Sequence, residues 1–168
     1  MIRRARPTDR SALDRLQSHL SRPSPDLLAA ALADVSVPDP AESPATGATP
    51  GAALSAFDVF VAVGETGAVV GYLLAVRGDP THVAEVVVAP DHRRQGYGAA
   101  LFDRLFAAVA ERHADADSHL VRLAVSPDDD RACSFYRSLG FEASQYDADY
   151  YGDDPALLLV KPVDGESA

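Results

Sequence analysis

Leu13, Leu16 and Leu20 recur at helical spacing behind a short β-like start over residues 2–5. Between the two, Arg6-Pro7-Thr8-Asp9 reads as a turn in which Thr8 or Asp9 is available to cap the helix. Ser24 and Pro25 open a second short helix, expected over 25–33. Residues 37–56 (VPDPAESPATGATPGAALSA) lose all periodicity and are rich in Pro, Ala, Gly, Ser and Thr, which predicts a flexible surface insertion. β-rich runs follow at 57–64 and 68–77, separated by Glu65-Thr66-Gly67 as a hairpin turn. A third strand is expected at 81–89, reached through Gly78-Asp79-Pro80. A helix over 96–114 carries the apolar stripe Leu101, Leu105, Ala108 and Val109. Then come a strand at 120–125, a helix at 129–139 ended by Gly140, β-like sequence from 141 onward, and a last strand at 156–163. The order β-α-α-β-β-β-α-β-α-β-β, without internal repeat, predicts a single α+β or mixed-sheet domain spanning 1–168.

Composition narrows the class. The 168 residues are 47% hydrophobic, enough for one real core. Asp plus Glu number 25 against 15 Lys plus Arg, a net charge of −10. Of the acids 19 are Asp, and of the bases 14 are Arg, Lys161 being the sole lysine. Such a balance argues against nucleic-acid binding, which needs clustered cations, and against anionic membrane surfaces. It fits either a protein kept soluble by carboxylates in concentrated salt or a GC-rich coding bias, and the near absence of lysine leans toward a salt-adapted, halophilic protein. Cys133 stands alone, so no disulfide or cysteine metal cluster is expected within the chain. His82, His92, His113 and His119 lack the i, i+4 spacing of a helical zinc site, and no metal is expected. The start MIRRARPTDR has no apolar stretch behind its arginines, and the longest apolar run, 69–76, is broken by Gly71. A cytoplasmic location follows as the expectation.

The segment from Val86 to Leu101 carries the chemistry. An apolar strand breaks at Pro90, and Arg93-x-x-Gly96-x-Gly98 opens a long helix. Glycines let backbone N–H groups approach an anion, and the open N–H groups and positive dipole end of the helix then stabilise it. A pyrophosphate is the natural guest, with Arg93 and Arg94 adding attraction at the one basic spot of an acidic chain. A P-loop is absent because no lysine follows the glycines, and a dinucleotide fingerprint fails because Gly96 comes after several strands.

This stretch resembles motif A of the GNAT superfamily, the acyl-CoA-dependent N-acyltransferases, written (Arg/Gln)-x-x-Gly-x-(Gly/Ala). A second signature follows at the family's distance: Asp129-x-x-Ala132-x-x-x-Tyr136-x-x-x-Gly140-Phe141 is similar to motif B, which usually begins with Asn. The resemblance implies a mixed, mostly antiparallel central sheet flanked by helices, and acetyl-CoA as co-substrate. It places the acetyl-CoA between two parallel strands, 81–89 and 120–125, that splay at a bulge. Backbone groups of Val86, Val87 and Val88 would bind the pantetheine arm. N–H groups of Arg94, Gln95, Gly96, Tyr97, Gly98 and Ala99 would hold the pyrophosphate, with Arg93 beside them.

In the same way Tyr136 is implied as general acid on the departing thiolate, for which a phenol of pKa about 10 stays protonated at neutral pH. The amine must also lose a proton. Glu85 and His82 sit on the strand leading to the cofactor; strict alternation lets only one of them face the substrate unless a bulge intervenes, and Glu85 is taken as the base. Asp129, in place of Asn, keeps the acceptor but loses the amide donor, so it serves either the cofactor or a helix cap. The chain is also similar to enzymes that acetylate the ribosomal-protein N-terminus, in motif B and around Tyr150-Tyr151. Those enzymes carry Leu-Glu-Val before motif B with the Glu as base; here the strand reads Leu123-Ala124-Val125. The reading is therefore an N-acetyltransferase acting on a small-molecule or peptide amine by direct attack in a ternary complex. Its alternatives are a ribosomal-protein or peptide N-terminal acetyltransferase, or a catalytically silent CoA-binding module. A cationic amine is favoured by steering from the acidic surface. Pairing into a homodimer through edge strands follows from the family alone, as do acceptor-site walls made by the first two helices and residues 147–154.

Overall fold

The computed structural model describes residues 1–20, 22–35, 56–113, 118–150 and 152–164; the insertion expected over 37–56 lies outside these except for Ala56. The strands β1 (Ile2–Arg4), β2 (Phe57–Val63), β3 (Val69–Val76), β4 (Thr81–Val88), β5 (Ser118–Val125), β6 (Glu142–Asp147) and β7 (Ala156–Asp164) form one sheet in the order β1-β2-β3-β4-β5-β7-β6. Every neighbouring pair is antiparallel except β4–β5, which is parallel. Parallel neighbours need a long crossover, and α3 (Tyr97–Arg112) supplies it. The other helices are α1 (Arg10–Gln17), α2 (Pro25–Val35) and α4 (Asp130–Ser138). The mixed, mostly antiparallel sheet flanked by helices is the α+β fold implied by the motifs.

The sheet is covered on both faces, which is why β3 reads as an unbroken apolar run and β2 as one broken only by Asp58. Phe60, Ala62, Leu73 and Ala75 point to the layer of α3 and α4, where Leu101, Phe102 and Leu105 meet them. Val59, Val61, Tyr72 and Leu74 point to the other layer, against Leu13 and Leu16 of α1 and Leu28 and Leu32 of α2. Among the described residues no helix is long and apolar enough to cross a membrane.

At the start of α1 the expected cap is replaced by an ion pair. Asp9 makes no side-chain cap to the helix. Its carboxylate takes two hydrogen bonds from Arg3, at 2.8 and 3.0 Å, and one from the Arg6 N–H at 2.7 Å. A bidentate arginine outcompetes a helix N–H for the same oxygens.

A second polar cluster lies inside the sheet. Asp58 on β2 is fully buried, with Arg4 Nη1 at 3.0 Å and Arg77 Nη2 at 2.8 Å from Oδ1, and Arg112 Nη2 at 3.1 Å from Oδ2. Burial alone would raise its carboxyl; the hydrogen bond from Arg77 and the charges of Arg112 and Arg77 outweigh it and hold the group below the usual carboxylate value.

Near the far end of α3 the rings of His113 and His119 stack 3.6 Å apart, and His119 meets Thr81 Oγ1 at 3.0 Å. Burial, then the facing His119, lowers the pKa of His113; burial, then Arg122, lowers that of His82. A histidine whose folded pKa is depressed binds its proton more readily in the unfolded chain. Stability is therefore held above the usual imidazole value near 6.5 and lost as pH falls below it. Melting temperatures at constant salt should drop from pH 7.5 to pH 5, and the slope should be shallower in His113→Gln. A flat profile over that range would show that neither ring is held neutral by the fold.

Candidate active site

One backbone irregularity organises the site. Leu74 pairs with Glu85 but Ala75 pairs with Val83, so Ala84 is an extra residue on β4. Below this bulge Val83 packs into the α3/α4 layer. Above it Glu85 and Val87 turn to the α1/α2 layer, while Val86 and Val88 pack toward α3 and α4. His82 and Glu85, which strict alternation would separate, thus share the α1/α2 face.

The bulge is also where β4 and β5 part. Their pairing covers only Thr81↔Val121, His82↔Arg122 and Val83↔Leu123. Past it, β4 stays bonded to β3 as far as Gly71↔Val88, and β5 to β7 as far as Val125↔Leu157. Two strands held by their outer neighbours but not by each other leave a gap with unpaired backbone on its inner edges. Val86, Val87 and Val88 flank this gap; the Val88 carbonyl accepts from Arg93 Nε at 3.0 Å.

At the open end of the gap β4 runs into a turn and then α3. Pro90–His92 make a single 3-10 turn, Arg94 has φ +63°, and Gly96 has φ +87°. Nothing stands within 4 Å of where a Gly96 Cβ would be, so this position needs glycine for its left-handed backbone rather than for space. The first bond of α3 runs from the Ala100 N–H to the Gly96 carbonyl, so the N–H groups of Tyr97, Gly98 and Ala99 precede the helical ladder. Gly98 has a further reason beside the one expected: its Cβ would stand 3.1 Å from Phe135 Cζ. That glycine lets α4 approach α3. Gln95 reaches back to the Asp91 carbonyl at 3.4 Å, and Arg93 is tied to the end of β4.

On α4, Asp129 is the N-cap, accepting from the Ala132 N–H at 3.1 Å, a role that aspartate fills as well as the motif's usual Asn. Tyr136 is half-buried with its ring among Phe102 (5.8 Å between centroids), Phe135 (5.4 Å) and Phe141 (6.0 Å). Cys133 is buried in the same helix beneath the sheet.

On the α1/α2 face a cleft of about 380 Å³ opens over the splay. Its floor is His82, Val83, Ala84 and Ala124, and its walls are Arg22, Pro23, Ser24 and Leu27 on one side and Tyr150 on the other. Arg22 is ion-paired with Asp154, joining the segment before α2 to the β6–β7 segment. Glu85 lies behind this wall, 4% exposed. Gln17 Nε2 donates to both its oxygens (3.1 and 3.2 Å), the Ser24 N–H donates at 2.7 Å, and the Tyr72 hydroxyl donates at 2.9 Å. Burial and the adjacent Glu85 charge push the Tyr72 phenol well up, so it remains a donor. Gln17 and Arg122 were not singled out from sequence: a glutamine at the end of a helix and an arginine on a strand have no spacing to distinguish them. Among the described residues no group of three His, Cys, Asp or Glu is placed to hold a metal ion.

A sheet opened between two parallel strands, with a helix N-terminus at one end of the gap and a cleft over its floor, belongs to an acyltransferase. The chain is a member of the acetyltransferase (GNAT) family, whose model matches residues 26–141, and the family uses acetyl-CoA. No curated protein sequence matches the chain. Among solved structures it is similar to the ribosomal-protein-S18-alanine N-acetyltransferase of Escherichia coli, with TM-score 0.71 and 20% identity over 99% of this chain and 96% of that one. It is similar to Chaetomium thermophilum Naa20 in complex with a bisubstrate analogue, with TM-score 0.67 and 25% identity over 97% and 86%. Nourseothricin acetyltransferase matches at TM-score 0.57 and 26% identity, over 64% of this chain and 66% of that one.

Proposed function

We propose that the protein moves an acetyl group from acetyl-CoA to a primary amine by direct attack within a ternary complex. One observation carries this reading: the cleft and the strand gap meet. Ala84 and Ala124, which floor the cleft, are the first residues past the last β4–β5 pair, Val83↔Leu123. An amine entering over the α1/α2 face and a thioester lying in the gap converge there without crossing a wall. Inner-edge backbone of Val86, Val87 and Val88 would line the pantetheine arm, and N–H groups from Arg94 to Ala99 would face the pyrophosphate.

Acetyl-CoA brings an activated acyl carbon. The transfer breaks its C–S bond and forms a C–N bond; the amine gives up one proton and the sulfur takes one. Tyr136 supplies the proton to sulfur from its hydroxyl. For the other proton, the oxygens of Glu85 already accept from three donors, which makes that carboxylate a fastener between α1, the start of α2 and β3. His82 lines the cleft itself, and its Nδ1 is buried without a hydrogen-bond partner among the described residues. Burial and Arg122 keep the ring neutral at physiological pH, as a base must be.

His82→Gln should lower kcat/KM by about 10²-fold near pH 7 and remove the acid limb of the pH profile. That limb in the native enzyme lies below the usual imidazole value. Glu85→Gln should lower the melting temperature and leave the limb where it was. An acid limb that survives in His82→Gln and vanishes in Glu85→Gln would return the base to Glu85. The reading as a whole is tested by thiol release from acetyl-CoA across a panel of primary amines. Binding of CoA with no amine turned over would make the chain a silent CoA-binding module.

A peptide N-terminus is the second reading for the acceptor. The E. coli S18-alanine enzyme matches this chain end to end, whereas nourseothricin acetyltransferase matches about two thirds of it. Ala124 replaces the carboxylate expected of such enzymes, and His82 on the neighbouring strand is the ionisable group left on the cleft floor.

A further inference from the structure

Among the described residues the cleft is lined by no carboxylate, in a chain whose acids outnumber its bases by ten. Its ionisable lining residues are Arg22, His82 and Tyr150. One further cation stands beside the floor of the cleft without lining it. Arg122 on β5 pairs in register with His82 on β4. It lies two residues before Ala124, so alternation puts both on the same face of the sheet, the face that the cleft floor presents. The neighbours in between, Val121 and Leu123, are buried toward α3. Arg122 is half-buried, its Nε lies out of solvent without a hydrogen-bond partner, and no carboxylate among the described residues is within ion-pair distance of it. The contrast with the other buried arginines is direct: Arg77 and Arg112 both sit on Asp58, and Arg3 on Asp9. Glu85, on the neighbouring strand and the same face, is taken up by Gln17, Ser24 and Tyr72, and Glu142 is two strands away across Val160.

A partly desolvated guanidinium without a counter-ion is costly to keep unless something arrives to pair with it. From this we infer that the acceptor is an amine bearing a carboxylate a few bonds away, held by Arg122 while the amine lies at His82. The inference rests on the acetyltransferase reading for the same cleft and names its substrate class. It reverses the preference for a cationic amine drawn from net charge: the field of the whole surface is negative, but the lining is not. A free amino acid and a peptide with an acidic residue beside its N-terminus present the same group, and both belong in the test.

Matched acceptors distinguish these cases: β-alanine against propylamine, and the tripeptide alanyl-aspartyl-alanine amide against alanyl-lysyl-alanine amide. The wild-type enzyme should favour the anionic member of at least one pair by about tenfold or more in kcat/KM, as expected for a charge-assisted contact. Arg122→Gln should bring the kcat/KM ratio within the preferred pair close to one, whatever the change in absolute rate that follows from removing a charge beside His82, and Arg122→Lys should restore part of the preference. Preference for β-alanine alone identifies a small amino acid; preference within the peptide pair alone identifies an acidic N-terminus. Equal or faster turnover of propylamine and the lysyl peptide by wild type overturns the inference, as does an equal loss on both members in Arg122→Gln. A binding readout stands apart from turnover: in the presence of CoA, β-alanine or the aspartyl peptide should raise the melting temperature of wild type and not of Arg122→Gln. If that shift occurs and no amine is acetylated, the anion site holds and the acetyltransferase reading falls. If cationic amines alone are acetylated and no shift occurs, the reading holds and the anion site falls.

Discussion

Replacing Tyr136 with Phe should lower kcat by about 10²- to 10⁴-fold while leaving the affinity for acetyl-CoA within about twofold. The substitution removes one oxygen and keeps the ring. That ring packs against Phe102, Phe135 and Phe141, so the aromatic cluster between α3, α4 and the sheet is retained and the fold is not at stake. On the proposed mechanism, what is lost is the proton donor. A thiolate expelled without a positioned acid is a poorer leaving group. The phenol suits the task because its ordinary pKa of about 10 keeps it protonated when the thiol forms. Rates measured at saturating acetyl-CoA, with CoA binding followed by calorimetry, separate the two quantities. A variant that loses CoA affinity and keeps kcat would make Tyr136 a packing residue.

Asp58→Ala should cost about 3–5 kcal/mol of stability, the loss expected when one partner of a buried charge cluster is removed. Asp58 is fully buried, and Arg4, Arg77 and Arg112 converge on its two oxygens. Without it three guanidiniums face one another across a cavity. Arg77 and Arg112 are mostly buried, so neither swings freely into water. In a domain of this size the melting temperature should fall by roughly 10 °C. Molar salt, which screens surface charge within a few ångströms, should recover little of the loss because the repelling groups lie inside. Urea unfolding at low and high salt checks both statements. A loss under about 1 kcal/mol would mean that the arginines relax outward and that the cluster holds less than its geometry suggests.

Much of the fold was legible because its elements obey one period each. The leucines of α1, the stripe of α3 and the hairpin at 65–67 lie where their spacing puts them. β2 and β3 were recognisable as strands from their β-rich composition on either side of that turn. The anion-binding turn was legible for a related reason: a strand, a break and two glycines before a helix have few other uses. Interactions that close over long sequence distance were not legible. Asp9 offers the same side chain to a helix cap and to Arg3, and only the position of β1 decides between them. Gly98 reads as a phosphate-loop glycine, and that Phe135 packs where its Cβ would stand is seen only in the fold. Glu85 reads as an available base until Gln17, Ser24 and Tyr72 are placed around it, none of which is near it in sequence. Arg122 carries no motif; its meaning lies in which residue stands across from it on β4.

The extra residue at Ala84 decides more than the opening of a gap. Side chains on a strand are assigned to faces by counting, and the bulge changes the count once, between His82 and Glu85. Each side chain on β4 could be exchanged for another of its kind and the division of labour would survive. A change in length would not be so forgiving. Taking one residue out between His82 and Val86 would hand Glu85 to the aromatic layer or carry His82 away from the cleft, with no single substitution able to undo it. The quantity under constraint in this strand is therefore a number of residues as much as their identities, and lineages of this enzyme should tolerate replacement here far better than insertion or deletion.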